Sequence, residues 1–214
     1  MAAIGVLDLQ GGVAEHLGHL GRLGVAAVRV KKDSELEGLA GLVIPGGEST
    51  CLARLLRITG LDEAIRERFA AGLRLWGTCA GTILLAKRIL GEAPCLGLID
   101  IDVERNAFGS QLESFDIVAE VPTVAAEPVP LTFIRAPKIT RLGPGVRSLL
   151  RLHDYHAAVE DDAVLATVFH PELTPSLAFH RYFAAKCGLE TAGDVDTCWH
   201  PEDWTRYAPL PHRA

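Results

Sequence analysis

Cys79 lies in Gly77-Thr78-Cys79-Ala80-Gly81, where one apolar run stops and another begins. A thiol there can pack, ligate a metal, form half of a disulfide or act as a nucleophile. The five cysteines are Cys51, Cys79, Cys95, Cys187 and Cys198. Their odd number and the lack of a CxxC pair argue against a disulfide framework and a cysteine-rich zinc site, so no metal is expected. The spacing fits a nucleophile elbow with cysteine in place of serine. A strand ends at Trp76 and Gly77, a helix starts just past Cys79, and the flanking glycines relieve the crowding of the sharp turn. The helix N-terminus favours the thiolate, the reactive form. The Ala80 amide is placed to hold an oxyanion. By itself the pentapeptide leaves a small core thiol and a nucleophile both open.

A thiol nucleophile needs a base, and the base needs an orienting partner. The segment AVLATVFHPEL (163–173) offers both, because a strand-like run delivers His170, Pro171 and Glu172. In an extended segment, residues two apart face the same side. Pro171 biases His170 toward that conformation, so Glu172 can hold one imidazole nitrogen and leave the other for the thiol. An isolated His-Pro-Glu also fits an ordinary strand end with solvated polar residues. The tripeptide recurs at His200-Pro201-Glu202, behind a polar, glycine-bearing stretch without a strand. Functional sites need rigid support, so His170 is preferred. A third element, VIPGGEST (43–50), ends a strand in a Pro45-Gly46-Gly47 turn rich in backbone amides, with a helix opening at Ser49 or Thr50. Such a turn can donate N–H groups to an oxyanion. It lacks the glycine spacing and lysine of a Walker phosphate loop.

These residues need a scaffold, and the chain alternates strand-like runs with helical patterns. Strands are expected at 2–9, 25–30, 40–45 and 73–77. Helices are expected through GGVAEHLGHLGRLG, with Val13, Leu17, Leu20 and Gly24 on one stripe, and at 49–60, 61–72 and GTILLAKRIL (81–90). That rhythm predicts a mostly parallel sheet covered by helices. From about 95 to 168 come GLIDIDVE, SFDIVAEV, VPLTFIRAP, RSLLRLHDY, HAAVE and AVLATVF, strand candidates with short connections. Part of the sheet is therefore expected to be antiparallel or mixed. A helix is expected to close the domain at 177–188. The last 26 residues lack periodicity and read as an irregular tail.

The chain has 214 residues, 49% hydrophobic and 22% charged, with a formal net charge of −6. That length suits a single α/β domain with a real core. Without a basic run, nucleic acid is not the expected partner. No apolar run approaches the roughly 18–20 residues of a membrane span, and the start lacks a basic leader. A cytoplasmic location is the expectation.

Taken together, the chain resembles the class I, triad-type glutamine amidotransferases. More closely, it is similar to the glutaminase subunits of pyridoxal 5′-phosphate synthases. The resembling segments are GVLDLQGGVAEH (5–16), IPGGEST (44–50), GTCAG (77–81), VERNAFGSQLESF (103–115), FIRAP (133–137) and FHPELT (169–174). The resemblance implies a flavodoxin-like three-layer domain over residues 1–188 and an extension of unassigned role over 189–214. It implies that Cys79 attacks the side-chain amide of L-glutamine, that His170 moves the protons and that Glu172 orients His170. It further implies an oxyanion hole at Gly47 and Ala80, substrate contacts from Gly46, Gly47, Glu48, Arg105, Ile134 and Arg135, and no cofactor. The partner it implies is a separate (β/α)8-barrel synthase subunit that receives the ammonia.

The sequence departs from the family at Ser110, commonly arginine, at HAAVEDDAVLAT (156–167), usually more basic, and after about Gly188. Two other functions compete: a glutaminase subunit with another acceptor, as in a histidine-pathway synthase, and a silent binding module that regulates a partner. RNAFG and FIRAP argue against the first. The intact Cys79, His170 and Glu172 argue against the second.

Overall fold

The computed structural model describes residues 2–105 and 114–192. The first half runs β1 (Ala3–Leu7), α1 (Val13–Arg22), β2 (Ala27–Val30), β3 (Leu39–Ile44), α2 (Ser49–Thr59), α3 (Leu61–Ala70), β4 (Arg74–Thr78) and α4 (Ala80–Leu85). The second half runs β5 (Ala86–Ile89), β6 (Ile99–Glu104), β7 (Ser114–Ala119), β8 (Val129–Ile134), β9 (Lys138–Leu142), β10 (Arg147–Leu152), β11 (Tyr155–Glu160), β12 (Val164–Thr167) and α5 (Ala178–Lys186). The main sheet is ordered β2-β1-β3-β4-β12-β11-β9-β6-β5, with β10 paired to β11. A separate antiparallel ribbon joins β7 and β8.

The five strands β2, β1, β3, β4 and β12 are all parallel. β1, β3, β4 and β12 are mostly or wholly buried, as their nearly unbroken apolar runs require of strands covered on both faces. Their C-terminal ends lie side by side, with Ile44 paired to Gly77 and Thr78 to Thr167. In an open parallel sheet that edge is where ligands bind, and three sequence-selected segments leave the sheet there. The second half is mixed, as expected: β11 is antiparallel to β12 and β9, and β9 to β6. The α/β sheet-and-helix architecture is the one anticipated.

The sequence pattern misplaces some elements. The helix expected to run through GTILLAKRIL stops at Leu85, and Ala86 turns to extended backbone. Residues 86–89 form an edge strand parallel to β6, with Ala86 and Ile89 inward and Lys87 and Arg88 outward. Arg88 then reaches across to Asp100 at 2.8 Å and Asp102 at 2.6 Å. Strand β9 was not anticipated, because its KITRL alternation is short and lies between Pro137 and Pro144. The boundary between β10 and β11 falls at His153 and Asp154 rather than after Tyr155, with His153 at φ 49° in the turn.

Candidate active site

Cys79 sits between β4 and α4 at φ 48°, ψ −106°, a backbone conformation that side chains rarely adopt. Its N–H donates to the Thr167 carbonyl at 2.8 Å, which ties the elbow to β12. The Thr82 hydroxyl donates to the carbonyls of Gly77 (3.0 Å) and Thr167 (2.7 Å), bracing both sides of the turn. The flanking glycines have a steric reason. A Cβ on Gly81 would lie 1.9 Å from the Ile44 carbonyl oxygen, and one on Gly77 would lie 2.6–2.7 Å from the Gly81 backbone. The strand and helix are pressed together, and the thiol, 7% exposed, is held at the sheet edge.

β12 and the ribbon strand β8 deliver the histidine. His170 N–H donates to the Thr132 carbonyl at 2.8 Å. Its imidazole lines the same cleft as the Cys79 side chain, both of them against Gly46, and its Nδ1 lies 2.8 Å from Glu172 Oε1. Glu172 reaches back across a tight 3-10 turn, Pro171–Leu173, rather than along a continuing strand. Proline suits the first position of such a turn because it needs no N–H there. The expected His170–Glu172 contact therefore forms by a different local geometry.

The mutual attraction of His170 and Glu172 drives their two pKa values apart. Burial alone would raise the Glu172 carboxyl, but the neighbouring His16 and His170 and the His170 hydrogen bond outweigh it and hold the pKa at about 2. Burial alone would lower the His170 imidazole. The Glu172 carboxylate and the bonds to Cys79 and Glu172 outweigh it and lift the pKa well above 6.5.

The Pro45-Gly46-Gly47 turn lies against this pair. A Cβ on Gly46 would meet His170 Cε1 at 2.4 Å and Cys79 Cβ at 3.3 Å, so only glycine lets the turn approach both. Gly46 N–H donates to Thr78 Oγ1 at 3.1 Å, and Glu48 N–H to Gln10 Oε1 at 2.7 Å. Glu48 caps α2, accepting from the N–H groups of Thr50 at 3.0 Å and Cys51 at 2.6 Å. Those two amides, ahead of the Arg105 charge, lower its carboxyl pKa.

A cleft of about 280 Å³ opens beside Cys79. Its walls include Gly47, Glu48, Cys79, Ala80, Arg105, Ile134, Arg135 and His170, all singled out from the sequence. Gly46 lies beneath the thiol and the imidazole, and Glu172 behind the imidazole. The Ile134 carbonyl oxygen lies 3.9 Å from Cys79 Sγ, and Arg135 follows at φ 44°. Arg105 is bound to Glu92 at 2.5 Å and lies 3.5 Å from Glu48. Ser49, Ile83 and Pro137 complete the walls.

Gln10, Thr78 and His16 carry no expected role from sequence, although Gln10 and His16 belong to the GVLDLQGGVAEH segment and Thr78 to GTCAG. A chemical signal was available: a glutamine beside a glycine pair, and a histidine on the buried stripe of α1. Ser110, Cys198 and the second His-Pro-Glu at 200–202 lie outside the described residues.

Residues 6–189 match the model of the SNO glutamine amidotransferase family. The chain is 60% identical over 211 residues to the pyridoxal 5′-phosphate synthase subunit PdxT of Syntrophus aciditrophicus, covering 96% of this chain and 94% of that protein. That alignment takes in part of the tail. The subunit of the same name from Thermus thermophilus is 51% identical over 189 residues, covering 87% and 98%. A crystal structure of a glutamine amidotransferase superposes with a TM-score of 0.82 at 47% identity, covering 88% of this chain and 100% of that one. PurLQS from Thermotoga maritima shares the fold at a TM-score of 0.65 and 15% identity, over 86% of this chain and 99% of that one. With a match reaching from the first strand past the last helix, and near full-length relatives at half identity or more, the chain belongs to the SNO glutamine amidotransferase family.

Proposed function

We propose that the protein is the glutaminase subunit of a pyridoxal 5′-phosphate synthase. It hydrolyses L-glutamine to L-glutamate and ammonia and passes the ammonia to a separate (β/α)8-barrel synthase subunit. The observation that carries this is the contact chain Cys79–His170–Glu172 at the wall of a cleft that also holds Glu48 and Arg105. The names of the relatives support the pathway.

In this reading Cys79 Sγ attacks the carboxamide carbon of glutamine, and the carbonyl electrons move to oxygen. Amides of Gly47 and Ala80 hold the resulting oxyanion. The C–N bond breaks as His170 gives its proton to the departing nitrogen, leaving a γ-glutamyl thioester and ammonia. Water then attacks the thioester with His170 as base, the C–S bond breaks, and glutamate leaves with the thiol restored. Glu172 fixes the ring and stabilises its charged form. Glu48 faces the substrate ammonium, and Arg105 exchanges Glu92 for the substrate carboxylate. Gly46, Ile134 and Arg135 shape the rest of the substrate contact. The chemistry needs a thiol, an imidazole and amide donors, and no cofactor.

Residues 1–188 form the amidotransferase domain in this reading, with 189–214 as an extension. The net charge of −6 disfavours nucleic acid. The reading takes the cytoplasm as the location; separately, no helix among the described residues is long and apolar enough to cross a membrane. Glutamate release, measured with and without the barrel synthase, tests the proposal. Cys79→Ala and His170→Asn abolish turnover, while His200→Asn leaves it within about twofold. A Cys79→Ala chain as active as the parent overturns it.

A further inference from the structure

Behind the catalytic carboxylate lies a cluster of histidines that the proposed chemistry does not use. Glu172 accepts through Oε1 from His170, while Oε2 is buried without a hydrogen-bond partner among the described residues. The group it faces is His16 Nε2, 3.4 Å away, itself buried and likewise without a hydrogen-bond partner among those residues. His16 Nδ1 lies 2.8 Å from His180 Nε2. His16 comes from α1, His180 from α5, and both are 0% exposed. His19 lies against His180 at a tilt of 35° with centroids 4.6 Å apart, its Nε2 lying 2.8 Å from the Thr174 carbonyl oxygen. Trp76 presents its ring edge-on to both His16 and His180.

Proton positions follow from these contacts. A carboxylate is acceptor-only, so the nitrogen facing Oε2 carries hydrogen. A bare lone pair there would set two buried acceptors against each other. Neutral His16 with hydrogen on Nε2 has a bare Nδ1, which accepts from His180 Nε2–H. Neutral His180 then has a bare Nδ1, the nitrogen that has no partner among the described residues. One assignment satisfies every contact in the line. Burial, the leading effect, favours the neutral ring at both positions.

We propose that His16 is a positioning residue for the reaction: its Nε2–H, fixed in that tautomer by His180, holds the second oxygen of Glu172 and so aims His170 at Cys79. The inference rests on the triad reading above. A helix that only packed here would gain as much from leucine as from histidine, since the surroundings are closed to solvent. The clamp is tight: a Cβ on Gly12, at the start of α1, would meet the Glu172 side chain at 2.9 Å.

The test uses the full-length chain with the barrel synthase, assayed for glutamate release. His16→Leu lowers kcat about tenfold, because the buried charge loses the N–H that faces it, with KM within about twofold. His16→Gln places an N–H₂ donor near the same point and recovers kcat to within about threefold of the parent. Should the leucine variant fail to fold, the glutamine variant and the tautomer decide the matter. Two-bond ¹H–¹⁵N spectra of the histidine rings at neutral pH place the proton on Nε2 of both His16 and His180. A leucine variant as active as the parent, a glutamine variant far below it, or a proton on His16 Nδ1 overturns the proposal. If Cys79→Ala is silent while His16→Leu is unimpaired, only this inference fails. If Cys79→Ala is active, the triad reading fails first.

Discussion

His170 and His16 approach opposite oxygens of one buried carboxylate, at 2.8 and 3.4 Å, and their acid–base behaviour runs in opposite directions. At His170 the charge of Glu172 and the contact with Cys79 outweigh burial, and the ring holds its proton well above pH 6.5. At His16 burial outweighs the same carboxylate, two further histidines add repulsion, and the pKa falls to about 4. At neutral pH the front histidine keeps its proton while the rear one stays neutral. Residue type and carboxylate are shared, so the difference comes from what lies on the far side of each ring: a thiol and a cleft for His170, two helices for His16.

Removing the front of this arrangement has the largest expected effect. Cys79→Ser or His170→Asn lowers kcat for glutamate release by roughly 10⁴-fold or more, and Glu172→Ala by roughly 10²–10⁴-fold. Loss of function with an unchanged thermal melt separates chemistry from folding. The elbow itself comes next. Gly81→Ala forces a Cβ against the Ile44 carbonyl oxygen and destabilises the fold by about 2–4 kcal/mol, read as a lower urea midpoint.

The third effect is pH-dependent stability. Between pH 6.5 and about 4 the unfolded chain binds a proton at His16 that the folded chain refuses. Stability therefore falls as pH falls through that window, by about 1.4 kcal/mol per pH unit for this one group. His180 and His19, also lowered mainly by burial, act in the same direction. His170 acts in the opposite sense, since its contribution is complete below pH 6.5 and is lost as pH rises through its folded value. Urea melts of the parent show the acid loss, and His16→Leu makes the slope shallower. An unchanged slope breaks the comparison at its rear half. The smallest effect belongs to an exposed network. Arg88, half exposed and bridging Asp100 and Asp102, leaves the urea midpoint almost unchanged on substitution by alanine, because solvent screens such pairs.

The front half was legible in sequence and the rear half was not, for a physical reason. The elbow and the glycine turn are built from local backbone constraints, so their residue types appear at fixed spacing. Gly77, Gly81 and Gly46 occur where the chain must approach another backbone or side chain. The His-Pro-Glu contact was also legible, although proline makes a 3-10 turn of it rather than a continued strand. The rear cluster joins residues 164 positions apart. On α1 the stripe expected to carry Val13, Leu17 and Leu20 buries His16 and His19 along with Val13 and Leu20, while Leu17 is only partly covered. Periodicity marks the face of a helix, but not the partner that a polar residue on that face will meet. The helix expected beyond Leu85 failed similarly: AKRI has helical propensity, yet pairing with β6 and the charges of Asp100 and Asp102 draw it into the sheet.

The contrast between the two histidines is tested most directly by an NMR pH titration of the ring resonances in the full-length chain. His170 titrates well above 6.5, and His16 stays neutral until about pH 4. Titration of both rings together near 6.5 would contradict the division of roles around Glu172.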